Sequence, residues 1–405
     1  MDIYQPAEDS YLLQKHVKKY AFGRVLDLGT GSGIQALTAI KNKEVREVVA
    51  VDVNKNAIEE LNNKVKSEKI RKVKVIFSHL FSNVRNKFDT IIFNPPYLPQ
   101  DKVGKEIIED AALYGGKHGW ELSEFFFSEV SNYLVANGKI LFLFSSLTNK
   151  KKIEEIIFEN LLEFKELIQE KQPMFETLYV YLIEKSKLLR ELERKNISSI
   201  KYLTHGKRGN IFIGILDKSK FIKSHFARKN EVKVGIKVKR EESLAVERMR
   251  NEANWLKVLN RKGIGPKFVF SGKDYLVYEF VEGEFVLDWI VDRNGKEVIG
   301  MLTKVLEQCF VMDKLMVNKE EMHRPHKHII VDRFNEVTML DFERCSKTEK
   351  PKNVTQFVEF ICRLKEELSR KNINVDVEQL RKLSRIYKKE ISLGNFNLIK
   401  SSISF

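Results

Sequence analysis

The sequence predicts an α/β protein whose first half contains an open sheet of alternating strands and helices. A glycine-rich turn follows an apolar strand at residues 29–33, an acid ends the next strand at Asp52, and a later strand runs into Asn-Pro-Pro-Tyr at residues 94–97. Open α/β sheets bind ligands beyond the carboxyl ends of their strands. We therefore expect these three features to line one site. The length of 405 residues predicts two domains.

The opening segment, residues 4–20, predicts an amphipathic helix. Pro6 suits the first turn of a helix, and Glu8 and Asp9 suit its positive end. Apolar side chains recur at helical spacing from Tyr11 onward. Further along, residues 121–134 predict a helix and residues 139–144 and 178–183 predict strands, which continues the alternation.

The glycine-rich turn joins a strand to a helix. Gly29 and Gly31 let the backbone approach a ligand closely, and Gly33 is expected to let the helix pack on the strand. No lysine follows the turn as it does in a phosphate loop, so a triphosphate is not expected here. Asp27, at the end of the strand, is the expected partner of a cation such as a sulfonium or an amino group.

Asp52 ends the second strand, 19 residues after Gly33. This spacing is close to the ~20 residues expected for the acid that binds ribose hydroxyls. The third strand is predicted at residues 75–81, which places His79 and Leu80 within it.

The Asn-Pro-Pro-Tyr segment predicts a socket for a planar –NH2 group. Two prolines lock φ and keep the preceding residue extended. The side-chain oxygen of Asn94 and the carbonyl of Pro95 can then accept the two N–H groups, while Tyr97 lies over the flat face. Methyl transfer to an amide or to an exocyclic amine requires such a socket. The alternative is a strand that simply ends in a proline turn.

Three segments carry a resemblance to a known family: residues 4–13, residues 94–99, and residues 110–119 with their Gly-Gly-x-x-Gly. Residues 1–190 resemble class I S-adenosylmethionine-dependent methyltransferases with a Rossmann-like sheet. Within this group they resemble the HemK-like glutamine N5-methyltransferases of release factors, in the archaeal and eukaryotic branch. The resemblance implies a release factor or another translation protein as substrate, and the eukaryotic relatives use a small zinc-binding activator subunit.

The resemblance also implies roles for individual residues. His79 stands where the family usually has an acid that contacts the adenine amino group, and a neutral histidine can accept the same hydrogen bond. The predicted cofactor contacts are Asp27, Gly29, Thr30, Gly31, Gly33, Asp52, His79, Leu80 and Asn94. The predicted catalytic residues are Asn94, Pro95, Pro96 and Tyr97.

The net charge of +15 lies almost entirely in the second half. Residues 1–190 carry 28 basic and 26 acidic side chains, and residues 191–405 carry 43 and 30. A charged helical stretch at residues 184–200 predicts the boundary between a domain at 1–188 and a domain at 197–405. The basic excess suggests RNA, a ribosomal particle or nucleotide phosphates as partners, and the alternative is a solvated lysine-rich surface.

The second half resembles the protein-kinase signature set, and most of all the archaeal RIO-type atypical kinases, over residues 197–365. The resemblance rests on a basic glycine turn at residues 202–212, a strand lysine, a helix glutamate, a hinge, a His-rich loop and Asp-Phe-Glu at residues 341–343. It implies an α+β kinase-like domain that binds ATP and Mg²⁺. The predicted nucleotide-site residues are Lys237, Glu252, His323, His328 and Asp341, of which Asp341 would hold the metal through a carboxylate oxygen.

Two positions depart from the kinase pattern. His323 stands where the family has its catalytic aspartate, and Glu343 stands where it has glycine. Three alternatives remain for this half: an active kinase or ATPase, a nucleotide-binding pseudokinase, or a basic α+β binding module. If it is a nucleic-acid docking domain, the first half would be a methyltransferase acting on an exocyclic amine of a base.

Composition predicts a cytoplasmic protein without a membrane segment. Three widely spaced cysteines, Cys309, Cys345 and Cys362, form no Cys-x-x-Cys pair, which fits a reducing compartment. The sequence has no apolar run of the ~18 residues that a membrane span needs. Its first residues do not resemble a signal peptide.

Overall fold

The computed structural model describes residues 3–99, 115–205, 209–219, 231–239 and 246–404. The chain forms two compact units, Met1–Lys201 and Tyr202–Phe405. Part of the predicted Gly-Gly-x-x-Gly segment, at 110–114, and part of the predicted basic turn, at 206–208, lie outside the described residues. Within the described ranges, none of the helices combines the length and the apolar character that a bilayer crossing requires.

The first unit alternates strands and helices. Its strands are β1 (Gly23–Leu28), β2 (Val45–Asp52), β3 (Val73–Phe77), β4 (Phe88–Phe93), β5 (Leu134–Ser145), β6 (Leu162–Lys171) and β7 (Thr177–Lys185). Its helices are α1 (Glu8–Tyr20), α2 (Ile34–Ala39), α3 (Lys55–Ser67), α4 (Glu121–Tyr133), α5 (Lys150–Glu159) and α6 (Lys187–Arg194).

These strands form one sheet, which has seven strands in the described part of the chain, in the order β3-β2-β1-β4-β5-β7-β6. The pairs from β3 through β5 are parallel, and β7 runs antiparallel to both of its neighbours. The strand order reverses between β1 and β4, and ligands bind beyond such a reversal in open α/β sheets. The α/β class predicted for this half is confirmed.

The central strands are buried on both faces, as helices on each side of a parallel sheet require. In β1 and β4 all but one residue is buried. The predicted third strand was placed too far along the chain, because β3 ends at Phe77 and His79 lies in the loop that follows. Strand β6 was not predicted at all, since it lies at the edge of the sheet and its largely exposed residues show no buried run.

Because β7 runs antiparallel to β5, it begins at the edge of the sheet where the parallel strands end. Leu178 pairs with Ser145, so the first residues of β7 lie beside the carboxyl end of β5. The β6–β7 connection, residues 172–176, therefore reaches the same edge of the sheet as the ends of the parallel strands. It is closed by a hydrogen bond from the Gln172 N–H to the Glu176 carbonyl at 2.8 Å.

The second unit combines antiparallel strands with helices. Strand β8 (Ile197–His205) begins before the boundary between the units and ends after it. The other strands are β9 (Gly209–Asp217), β10 (Glu231–Lys239), β11 (Phe268–Ser271), β12 (Tyr275–Glu279), β13 (Glu284–Phe285), β14 (Val317–Asn318), β15 (Ile329–Val331), β16 (Val337–Met339), β17 (Ser346–Lys347), β18 (Asn374–Val375) and β19 (Ile403–Ser404). Its helices are α7 (Val246–Leu259), α8 (Val286–Val291), α9 (Gly295–Lys314), α10 (Asn353–Arg363), α11 (Lys365–Ser369), α12 (Val377–Lys389) and α13 (Leu393–Ser401).

The main sheet of this unit has the order β11-β12-β10-β9-β8 among the residues described. A separate sheet, β13-β15-β16, supports the His-rich loop on one side and residues 341–343 on the other. Helix α9 begins with a capping box, in which Asn294 and Glu297 satisfy each other's backbone N–H groups. Buried side chains from α7 through α13 pack into one hydrophobic core.

Candidate active site

A cavity of about 760 Å³ opens in the first unit beyond the carboxyl ends of β1 and β4, where the strand order reverses. Its volume lies within the range of small-molecule sites. The predicted residues that line it are Asp27, Gly29, Thr30, Gly31, Asp52, His79, Leu80, Asn94, Pro95, Pro96 and Tyr97. Among the predicted contacts of this unit, Gly33 does not line the cavity.

The glycine turn follows β1 closely. Gly29, Gly31 and Gly33 all have left-handed backbone, with φ of +62°, +50° and +77°, which side chains disfavour. A Cβ on Gly33 would overlap the side chain of Leu61 in α3. Gly33 therefore leaves the space that the Leu61 side chain fills, and its expected role in packing the helix on the strand stays a prediction.

Asp27 lies beneath this turn and is almost completely buried. Its Oδ2 accepts a hydrogen bond from the Thr30 hydroxyl at 2.6 Å and another from the Ala36 N–H at 3.0 Å. Burial raises the pKa of this carboxyl to about 7, although the two hydrogen bonds oppose the shift. Asp27 thus holds the turn in place and carries a charge that depends on pH near neutrality.

Asp52 ends β2 and joins two ligand-facing segments. One carboxylate oxygen accepts the Gly31 N–H at 2.8 Å and the other accepts the Asn54 N–H at 2.8 Å. Asn54 caps α3 by accepting from the Asn56 N–H. The carboxylate consequently lies between the glycine turn and the start of α3, on the wall of the cavity.

His79 and Leu80 lie in the loop after β3. The side chain of His79 is exposed at the cavity edge, whereas Leu80 is buried and has a φ of +44°. The Ser78 hydroxyl donates to the Leu80 carbonyl at 2.8 Å and accepts from the Asn83 N–H at 3.0 Å. These two bonds hold the loop in its left-handed turn.

Asn94 follows β4 directly, and its side chain has a fixed orientation. Its Nδ2 donates to Oδ2 of Asp9 at 2.8 Å. Its Oδ1 is buried and has no hydrogen-bond partner among the described residues. This orientation leaves an unsatisfied hydrogen-bond acceptor on a residue that lines the cavity.

Asp9 and Tyr4 complete the cavity wall and were missed as site residues. The Tyr4 hydroxyl donates to Asp9 at 3.0 Å, and both side chains line the cavity. The pKa values of Tyr4 and Tyr97 are raised, mainly by burial and to a smaller extent by the charge of Asp9, so both phenols stay protonated. Helix α1 is tied to α2 by a hydrogen bond from Gln35 to the Ser10 carbonyl. The opening segment carried the only sequence signal for this arrangement.

The described part of the Gly-Gly-x-x-Gly segment supports the Asn-Pro-Pro-Tyr loop from behind. A Cβ on Gly115 would overlap the carbonyl oxygens of Gly119 and Pro96, the latter at 2.5 Å. A Cβ on Gly119 would lie 2.6 Å from the Tyr97 carbonyl. Glycine is therefore required at both positions because two backbone segments meet there without space for a side chain.

The second unit contains a buried cluster around Lys237 of β10. The Lys237 amine lies 2.7 Å from Glu252, 3.4 Å from Asp341 and 3.6 Å from Glu343. Burial alone would lower the pKa of Lys237, but the three carboxylates outweigh it and raise the pKa. The structure thus brings together three of the predicted nucleotide-site residues, with Glu343 as an additional member.

The carboxylates of this cluster fit a hard divalent cation. Glu252, Asp341 and Glu343 each offer one oxygen, and these atoms lie within 4.8 Å of one another. Asp341 has a left-handed φ of +62°, and the buried Lys319 amine donates to its carbonyl oxygen.

The two predicted histidines are separated. Nδ1 of His328 lies 3.8 Å from Oδ2 of Asp341, and burial lowers the pKa of this imidazole to about 4, so it is neutral. His323 instead lines a second cavity, of about 490 Å³, between α10 and α12. No contact within the described ranges joins His323 to Lys237 or Asp341. These contacts do not join His323 to the cluster, and its nucleotide-site role stays a prediction.

Replacement of Lys237 tests whether this cluster is a stability determinant. We expect Lys237→Met to lower the free energy of unfolding by about 3–5 kcal/mol, because it leaves buried carboxylates without a compensating charge. Lys233→Met, four residues earlier on β10, removes an exposed pair with Glu282 and should leave the melting temperature unchanged. Equal melting temperatures for both variants would contradict the expectation.

Comparison with known proteins identifies the family. The family model described as "Methyltransferase small domain" matches residues 7–120. A protein of Methanocaldococcus jannaschii, provisionally named a protein N5-glutamine methyltransferase, is 38% identical over 152 residues, which is 37% of this chain and 76% of that protein. The chain belongs to this methyltransferase family. The prediction of an S-adenosylmethionine-dependent methyltransferase is confirmed.

Other relatives of the methyltransferase match over a smaller share of their length. The release factor glutamine methyltransferase of Streptococcus pneumoniae is 30% identical over 122 residues, which covers 29% of this chain and 43% of that protein. Among solved structures, the E. cuniculi Mtq2-Trm112 complex, described as methylating the translation termination factor eRF1, has 26% identity and a TM-score of 0.37. That match covers 46% of the methyltransferase and 100% of the solved chain.

Proposed function

We propose that this methyltransferase transfers a methyl group to the side-chain nitrogen of a glutamine, in the Gly-Gly-Gln loop of a release factor. The observation that carries this proposal is the buried, unpartnered Oδ1 of Asn94 on the cavity wall. A primary carboxamide offers two N–H donors, so an isolated acceptor is the complement that it needs. The name of the M. jannaschii relative supports a protein glutamine as the acceptor, and the name of the S. pneumoniae relative supports a glutamine of a release factor.

The cavity offers a suitable place for S-adenosylmethionine. Asp52 lies at the end of β2, where ribose hydroxyls are bound in such sheets, and the glycine turn leaves space for close approach. His79 and Leu80 line the adjacent wall and are proposed to flank the adenine. When bound, S-adenosylmethionine supplies a methyl group on a sulfonium sulfur, which keeps the electron pair when the acceptor nitrogen forms the new bond.

The residues of this chain contribute mainly by positioning. The Asn94 oxygen and the Pro95 carbonyl are proposed to hold the two N–H groups of the acceptor, and Tyr97 to cover its flat face. This fixes the nitrogen lone pair on the line of attack, and positioning of this kind can supply a large share of a rate enhancement. The acceptor nitrogen then loses a proton to water.

The proposed function is tested by methyl transfer from radiolabelled S-adenosylmethionine. A release factor with its Gly-Gly-Gln loop, the same factor with the glutamine replaced, and bulk tRNA, rRNA and DNA are offered in parallel. Label on the intact release factor, lost with the glutamine, is the expected result. Label on nucleic acid alone would replace the proposal with a base methyltransferase. The same assay with and without a small zinc-binding activator subunit tests the need for that partner.

The role of Asp52 gives a quantitative prediction. We expect Asp52→Ala to weaken binding of S-adenosylmethionine by about 1–3 kcal/mol, because hydrogen bonds to a charged group are lost. Titration calorimetry measures the affinity, and thermal melting separates it from any loosening of the Gly31 and Asn54 backbone that the carboxylate holds. Unchanged affinity would refute a ribose contact.

Asp27 predicts a pH dependence of cofactor binding. With a pKa of about 7, its carboxyl is protonated in most molecules below that pH. A cationic ligand favours the ionised form, so binding below about pH 7 must release the proton, and affinity should rise up to about tenfold per pH unit before it levels off. Calorimetry in buffers of different ionisation enthalpy detects the released proton. Asp27→Asn should abolish both the pH dependence and the release.

A second candidate function belongs to residues 197–405, which we propose to be a kinase-like domain that binds ATP with Mg²⁺. The ion pair between Lys237 and Glu252, with Asp341 beside it, favours this proposal. Lys237 would contact phosphate oxygens and Asp341 would hold the metal, with His328 nearby. We expect calorimetry with Mg²⁺ and ATP to detect binding that Asp341→Asn removes. Turnover of bound ATP then distinguishes a kinase or ATPase from a pseudokinase.

The basic charge of the second half supports a further part of the proposal, which is contact with RNA or a ribosomal particle. The cavity between α10 and α12 is lined by four exposed basic side chains, Arg363, Arg381, Arg385 and Lys388, of which Arg381 pairs with Glu359. Phosphate contacts of this kind make binding strongly dependent on salt. Filter binding of rRNA at rising salt concentration tests it.

A further inference from the structure

Asp9 is a buried carboxylate on the wall of the methyl-transfer cavity, only 4% exposed. Its Oδ1 accepts from the Ser10 N–H at 2.6 Å, the Tyr4 hydroxyl at 3.0 Å and the Ser10 hydroxyl at 3.2 Å. Its Oδ2 accepts from Asn94 Nδ2 at 2.8 Å. Within the described ranges no lysine, arginine or histidine pairs with it. A buried charge without a cationic partner lowers the stability of the fold, so a role in function would account for its presence here.

The hydrogen bond from Asn94 to Asp9 decides which end of the Asn94 amide faces the cavity. An amide presents a donor at one end and an acceptor at the other, whereas an ionised carboxylate only accepts. The NH2 end of Asn94 must therefore point to Asp9, and the oxygen must point away from it. The missing partner of Oδ1 agrees with this, because that atom is left for a ligand.

We propose that Asp9 is a positioning residue for methyl transfer, which fixes the Asn94 oxygen towards the acceptor nitrogen and supports it with a negative charge. The inference rests on the proposed function, because it assumes an acceptor with N–H donors. The nitrogen gains positive charge as its lone pair forms the N–C bond and the C–S bond breaks, and it then releases a proton to water. A fixed negative charge behind the accepting amide favours this charge before any solvent reorganises.

The substitution Asp9→Asn gives a specific structural expectation. The oxygen of the new amide still accepts from Tyr4 and Ser10, so its NH2 group faces Asn94. Two NH2 groups cannot bond to each other, and Asn94 must turn its oxygen inward and its NH2 group towards the cavity. A donor then faces the N–H donors of the acceptor. The expected result is a fall in kcat of about 100- to 1,000-fold, with the affinity for S-adenosylmethionine within about threefold.

The exchanged pair, Asp9→Asn combined with Asn94→Asp, separates orientation from folding. In this variant the new amide at position 9 donates to the new carboxylate at position 94, whose second oxygen faces the cavity. We expect the double variant to have a kcat at least about tenfold higher than that of Asp9→Asn alone. Asn94→Asp alone places two carboxylates together and should be inactive. Recovery in the double variant is an effect that a purely structural role of Asp9 would not produce.

A control and an acceptor-independent measurement complete the test. Asp89→Asn alters another carboxylate, which accepts from the Arg24 N–H and lies outside the cavity, and should keep activity within about twofold. Nuclear magnetic resonance of the side-chain amides should show slow hydrogen exchange of the Asn94 NH2 group in the wild type and fast exchange in Asp9→Ala. If the proposed function is wrong, the wild type will be inactive on the release factor. The exchange rate of the Asn94 NH2 group will then still show whether Asp9 holds the Asn94 side chain.

Low kcat with intact cofactor binding in Asp9→Asn, recovery in the exchanged pair, and a protected Asn94 amide support the inference. A wild-type kcat in Asp9→Asn, or a fall that only follows the loss of folded protein in thermal melting, would overturn it. Fast exchange of the Asn94 amide in the wild type would also overturn it.

Discussion

Asn94→Ala is expected to reduce methyl transfer by up to about 1,000-fold while cofactor binding is retained. The substitution removes the only side-chain oxygen of the Asn-Pro-Pro-Tyr segment that lies buried and unpartnered at the cavity within the described residues. Loss of one such preorganised contact costs 10²–10³ in rate in well-studied enzymes, and about 1,000-fold is the upper end of that range. It also leaves Asp9 without its Asn94 donor, which adds a buried unsatisfied acceptor.

Single-turnover transfer to the release factor measures the rate of methyl transfer by Asn94→Ala. Titration with S-adenosylmethionine measures whether its cofactor affinity is retained. Asn132→Ala provides the matched control, since Asn132 is exposed on α4 and its side chain donates a hydrogen bond to Glu129 of the same helix. The control should behave as the wild type. Activity of Asn94→Ala within tenfold of the control would contradict the socket.

Gly115→Ala is expected to lower activity by at least about 100-fold through a different cause. A Cβ at this position would overlap two backbone carbonyl oxygens, one of which belongs to Pro96 of the catalytic segment. Backbone cannot turn aside as a flexible side chain can, so the loop that carries Asn94 must shift. Misplacement of a reacting group by about 1 Å is sufficient for a loss of about 100-fold.

Gly300→Ala is the control for this substitution. Gly300 lies within α9, and a Cβ there would have no neighbour within 4 Å. The change should leave activity intact and raise stability by up to about 1 kcal/mol, the difference between alanine and glycine in a helix. Equal methyl-transfer activity of Gly115→Ala and Gly300→Ala would show that methyl transfer does not require glycine at position 115 behind the catalytic loop.

The parts of the site that the sequence predicted are each recognised from residues that are neighbours in the chain. The glycine turn, Asp52 and the Asn-Pro-Pro-Tyr segment each stand directly after an apolar strand. Parallel strands bring such ends to one edge of a sheet, so their meeting requires no knowledge of distant contacts. The structure indeed brings all three to the same cavity.

The parts that the sequence did not predict depend on long-range packing. Asp9 and Asn94 are 85 residues apart in the chain, and the packing of α1 against α2 and the sheet makes them neighbours. At the sequence level Asp9 is fully explained by the preference of acids for the start of a helix. The same limitation applies to Gly33, whose neighbour Leu61 lies on another helix.

The second unit shows where motif order alone misleads. Lys237, Glu252 and Asp341 stand in the predicted order and also meet in space, because charge pairing in a buried region enforces their approach. His323 also stands in the predicted order but lines another cavity, and short helical turns occupy residues 320–327 between it and His328. Spacing in a loop specifies position less strictly than spacing along a strand.

The antiparallel direction of β7 bears on how this protein could diversify. It adds a hairpin tip, residues 172–176, to the edge of the sheet where the parallel strands end, and Glu176 of this tip lines the cavity. Phe175 beside it is fully exposed, and the tip carries none of the hydrogen bonds that hold the glycine turn. Insertions or exchanges at this tip would therefore reshape the entrance for an acceptor while the cofactor-facing turn stays as it is. An engineer who wishes to redirect the enzyme would begin there.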